Sequence, residues 1–117
     1  MSMQLEHWIK GDLLLEIISE VSGVSKEKIL TEKGKLEHSP LRAIFVVYFR
    51  YLYPRLAQKD IATFFGYLHP STIINLEKLN KKLIHPINGC TPLAKWYIEV
   101  LCDVALCMPD LKNINPL

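Results

Sequence analysis

The chain has 117 residues, half of them hydrophobic and 22% charged, with 14 Lys and Arg against 12 Asp and Glu for a formal charge of +2. One domain can build a core from this material without disulfide or metal staples, and the composition excludes a disordered tail. The longest apolar run, Ala43 to Phe49, lies between Arg42 and Arg50 and falls short of the roughly 18 residues of a membrane span, while Glu6 and His7 stand where a signal peptide needs a positive start; a soluble cytoplasmic protein is expected.

Helical period and helix punctuation run along the chain without a convincing alternating stretch, which predicts an all-α fold of about five to six helices in one domain, 1–117. In the first helix Leu13, Leu14, Ile17, Ile18 and Val21 are expected to face the core, with Asp12, Glu16 and Glu20 on the other side and Gly23 ending the helix in a left-handed conformation. Ser25 caps a short helix from Lys26 to Leu30, and Thr31 to His38 reads as a mixed-charge loop. Ser39-Pro40 starts a helix that Pro54 stops; Leu41 to Tyr53 is apolar on nearly every face, as a central helix surrounded by neighbours should be.

A short helix, about Gln58 to Phe65, then meets a turn at Gly66 and a second helix from near His69-Pro70 to about Leu83, the pattern of a helix-turn-helix. Ile61, Phe64 and Phe65 pack inward from the first, and Ile73, Leu76, Leu79 and Leu83 from the second. What remains on the second helix is a polar and basic stripe at spacings of four, three and four: Ser71, Asn75, Lys78 and Lys82. In a helix-turn-helix that face turns to the DNA groove. Thr91-Pro92 repeats the cap-plus-proline start for an additional C-terminal helix, about 91–107, and 108–117 reads as a loose tail.

Chemistry-bearing motifs are sparse. His7, His38, His69 and His85 are scattered, the five glycines are isolated, and Cys90, Cys102 and Cys107 read as buried or incidental thiols. No catalytic residue, metal site, cofactor or small-molecule substrate is expected.

Gly23-Val24-Ser25-Lys26-Glu27-Lys28-Ile29-Leu30-Thr31 resembles the GVSVEDLLS-type opening of the carboxy-terminal DNA-binding domain of the bacterial replication initiator DnaA. Arg42 and Arg50 fall on the arginines of that family's PRQ and REL segments, and Asp60-Ile61-Ala62-Thr63-Phe64-Phe65-Gly66 resembles its EIGxxFG. Tyr67 to Ile73 takes the place of its GRDHTTV signature, with Thr72 identical, Ser71 a hydroxyl replacement, and Leu68, His69 and Pro70 where the family carries Arg, Asp and His. The resemblance covers about residues 15–83 and implies a stand-alone, divergent helix-turn-helix protein that binds double-stranded DNA and associates with the nucleoid. The ATPase module of an initiator has no room in a chain of this length.

The residues assign themselves by chemistry. Asn75 can donate to and accept from a base edge, whereas Lys78 and Lys82 suit phosphates. Ser71 and Thr72 offer hydroxyls at the first turn of the helix. Leu68 either touches a thymine methyl or packs the turn, and His69 shares the signature segment. Lys33, Lys35 and His38 either follow the DNA backbone from an adjacent groove or form a solvated loop. Arg42 meets phosphate, as the resemblance implies, or pairs with Glu37 or Asp60; Arg50, amid aromatic neighbours, reads as a structural ion-pair or stacking residue. Trp96 and Tyr97 either close the core or make a homodimer or partner contact through the C-terminal helix. The rival reading of the whole is a degenerate helix-turn-helix serving as a protein-interaction or regulatory module. Divided by region, residues 1–23 carry −3, residues 24–85 carry +6 and residues 86–117 carry −1, so the positive charge collects where the resemblance puts the DNA.

Overall fold

The computed structural model describes residues 3–31, 38–66, 70–85 and 89–117. Six helices are present among them: α1 (Leu5–Ser22), α2 (Lys26–Thr31), α3 (His38–Leu52), α4 (Gln58–Phe64), α5 (Ser71–Ile84) and α6 (Pro92–Cys107), followed by a single 3-10 turn, Pro109–Leu111. The fold is all-α, and its radius of gyration of 13.3 Å is that of one compact body of this length.

α3 is the spine. Leu41, Ala43, Ile44, Phe45, Val46, Tyr48 and Phe49 are all buried, because α1, α2, α5 and α6 pack around them. A helix enclosed over most of its length keeps little solvent face to be polar, and only toward its end does Tyr51 reach the surface. Tyr48 carries its hydroxyl into this interior by donating to the Leu101 carbonyl of α6, and Tyr97 of α6 donates to Asn80 Oδ1 of α5. These two bonds tie the buried faces of three helices.

α1 departs from expectation. It starts at Leu5, with the Gln4 N–H donating to His7 Nδ1 at 2.9 Å, and its buried side is His7, Gly11, Leu14, Leu15 and Ile18. Leu13 is on the outer surface and Ile17 and Val21 lie at the margin of the core. At Gly11 the ring of Phe64 sits where a side chain would be, 2.6 Å from an ideal Cβ. That close approach lets Phe64 stack between Trp8, at 5.2 Å, and Phe45, at 4.8 Å. Gly23, at φ +76°, closes α1 with its N–H on the Ser19 carbonyl at 2.9 Å.

α6 begins as its Thr-Pro sequence dictates, with Thr91 Oγ1 accepting from the Ala94 N–H at 3.1 Å. The stretch after it, expected as a loose tail, is anchored at its start: Met108 and Leu111 are buried, Ile114 packs partly against the core, and Asp110 pairs with Lys10 of α1. None of the three thiols is fully buried: Cys90 and Cys107 are exposed and Cys102 is half-buried, all three free.

Candidate nucleic-acid interface

α4 and α5 pack against each other, joined by residues 65–70, of which 67–69 lie outside the described residues. Phe65 N–H returns to the Ala62 carbonyl at 3.1 Å and Gly66 N–H to Thr63 at 3.0 Å, and Gly66 at φ +71° takes the chain away from the α4 axis. α5 opens from Pro70, whose carbonyl accepts from Ile73 and Ile74 and whose ring offers no side-chain cap to the first turn.

Seating fixes which way α5 faces. Ile73, Leu76, Asn80 and Leu83 are buried against α3, α4 and α6. Arg50 of α3 reaches Glu77 with Nε 3.4 Å from Oε1, so the acid of α5 is turned toward the spine. On the opposite side Ser71, Asn75, Lys78, Lys81 and Lys82 are exposed, with Thr72 half-buried beside them. Neither Lys78 nor Lys82 has an ion-pair partner among the described residues. Lys81 belongs to the same surface, a member that strict four-three-four spacing passes over; the exposed arc of a helix is wider than one stripe. Lys81 and Lys82 also lie in the last turn, where cations complement the helix dipole.

Two of the other expected DNA-binding residues, Arg42 and His38, are buried instead. Arg42 is 2% exposed and its Nε donates to the Ile29 carbonyl at 2.7 Å. That carbonyl belongs to the final turn of α2, which has no helical N–H of its own to bond. Arg42 therefore closes α2 onto α3 and, buried as it is, presents no guanidinium to a phosphate. His38 is likewise buried at the start of α3. Lys33, Lys35, Leu68 and His69 lie outside the described residues. Tyr97 is wholly inside the core, and Trp96 packs partly against it, so α6 closes over α1.

Among the described residues no group of three His, Cys, Asp or Glu converges as metal ligands, and no helix is long and apolar enough to cross a membrane. Comparisons with protein-family models, with curated proteins and with solved structures find no match to this chain.

Proposed function

We propose that the protein is a non-enzymatic DNA-binding module that lays α5 along a groove of duplex DNA, in the manner of the DnaA helix-turn-helix it resembles. The observation that carries this reading is the uncovered face of α5, where Ser71, Asn75, Lys78, Lys81 and Lys82 are exposed on one side of a helix held from behind by α3 and α4. In it Lys78, Lys81 and Lys82 neutralise phosphates, Asn75 addresses a base edge, and Ser71 with Thr72 meets a phosphate at the open first turn.

Fluorescence anisotropy with a labelled duplex at two salt concentrations tests it. Affinity should fall steeply with salt, and replacing Lys78 and Lys82 by Ala should lower the slope of log K against log salt by about 0.9 for each phosphate that is no longer neutralised. Asn75→Ala should flatten the preference among duplex sequences, by about 1–3 kcal/mol at the base it addresses. Absence of binding to any duplex at low salt overturns the reading.

A further inference from the structure

The outward face of α1 is not polar throughout. Leu5, Ile9 and Leu13 are 74%, 62% and 44% exposed, and their spacing of four aligns them as one ridge along the helix. Trp8, stacked on Phe64, borders the ridge with 39% of its surface in solvent. Exposed Glu6, Asp12, Glu16 and Glu20 lie on the same helix; its one lysine, Lys10, is held by Asp110, and among the described residues Lys26 meets Asp12 at 2.7 Å with Glu16 also in its field, His7 Nε2 stands 3.8 Å from Glu6, and Glu20 has no ion-pair partner. A scattered exposed Leu needs no explanation, whereas three aliphatic side chains in a row, bordered by an indole and by acids, have the anchor pattern of a helix-docking surface.

We propose that this face of α1 binds a cationic amphipathic helix of another protein, whose apolar row crosses the Leu5–Ile9–Leu13 ridge while its Lys or Arg side chains meet Glu16 and Glu20. Ridges made of residues four apart interlock at an inclination of about 50°, which centres the contact on Ile9. Charge selects the occupant. Two copies joined ridge to ridge leave Glu16 and Glu20 without a cation, set against each other in a parallel pair and lying past the contact in an antiparallel one, and an anionic membrane surface would be repelled. α5 of a second copy is cationic, but Ile74 is its one large exposed apolar residue among those described, so it offers no row to match. The inference is independent of DNA binding, because α1 and α5 present separate surfaces, each packed on α3 and α6.

The full chain is titrated into a fluorescently labelled synthetic helix of about 18 residues bearing Leu every fourth position and Lys on the flanks, and into the same peptide with Glu for Lys. The cationic peptide should bind at least about tenfold more tightly than the anionic one, and Ile9→Ser with Leu13→Ser, or Glu16→Lys with Glu20→Lys, should each weaken it by about tenfold or more. All four positions are exposed, so circular dichroism of the variants should match the parent. Equal affinity for the two peptides overturns the proposal, as does binding unchanged in either variant. So does a peptide-free dimer, seen by sedimentation, that Ile9→Ser abolishes.

Discussion

Gly11 and Arg42 show how much of this molecule turns on what one position leaves out or buries. Replacing Gly11 by Ala adds helix propensity worth about 1 kcal/mol, but it also places a methyl 2.6 Å from Phe64 and 3.3 Å from Phe49. Phe64 cannot swing aside easily, since Trp8 stacks on it and Phe45 and Phe65 hold its other sides at 4.8 and 5.7 Å. Overpacking of that kind costs about 1–3 kcal/mol, so Gly11→Ala should lower stability by up to about 2 kcal/mol in urea unfolding; a stabilised variant would mean that the ring has room. At Arg42 the competing roles separate cleanly. Arg42→Met removes a charged hydrogen bond to Ile29 and leaves that carbonyl buried, a loss of about 2–3 kcal/mol, while DNA affinity of the folded variant should stay at the parent value. Lys78→Ala should do the reverse, weakening DNA binding and leaving the urea midpoint in place.

Among the elements, the segment after α6 holds on by apolar burial more than by charge. Leu111→Ala should cost about 2–5 kcal/mol, because Leu111 is buried in the core cluster. Asp110→Ala removes a partly exposed pair with Lys10 and should cost under about 1 kcal/mol; thermal melts of the two variants measure the difference, and equal losses would make the ion pair the anchor. The Asn- and Pro-rich composition of this segment reads as tail, and nothing in its sequence announces that Met108 and Leu111 return to the core, since a single 3-10 turn is too short to leave a period. Capping signals are the more legible kind: Ser25, Gly23 and Thr91 each act where their chemistry places them, with the Lys28 N–H on Ser25 Oγ at 3.3 Å. The inner face of α1 is legible only in part, for a physical reason. Leu14 and Ile18 are buried as expected, but apolar residues occupy both sides of this helix, so Leu13, Ile17 and Val21 compete with Leu15 for the core, and only the packing of Phe64 and α6 chooses between them. For the candidate interface, the α5 stripe follows from period alone, whereas the burial of Arg42 depends on α2 folding across α3, a contact between separate helices that local sequence does not encode.

Taken whole, the molecule sets an apolar and acidic face on α1 apart from a basic face on α5, with α3 and α6 between them, so the small net charge conceals two surfaces of opposite sign. The same central layer makes stability sensitive to alkali. Burial in low dielectric raises the Tyr48 and Tyr97 hydroxyls well above the ordinary value of 10, and both donate hydrogen bonds that a phenolate could not make. In the unfolded chain these groups lose their protons near pH 10, so above that pH the folded state binds more protons than the unfolded one. Their contribution is complete below pH 10 and is lost as pH rises beyond it, at about 1.4 kcal/mol per pH unit for each tyrosine. The Lys10–Asp110 and Lys26–Asp12 pairs act in the same direction, since their carboxylate partners raise both lysines, but they are at the surface and add little. Urea unfolding followed from pH 8 to 11 should show a flat region and then a decline. Tyr97→Phe should be less stable at pH 8 by about 1–2 kcal/mol, because Asn80 Oδ1 loses its donor, and should then decline with roughly half the slope of the parent. An unchanged slope would place the alkaline sensitivity outside these tyrosines.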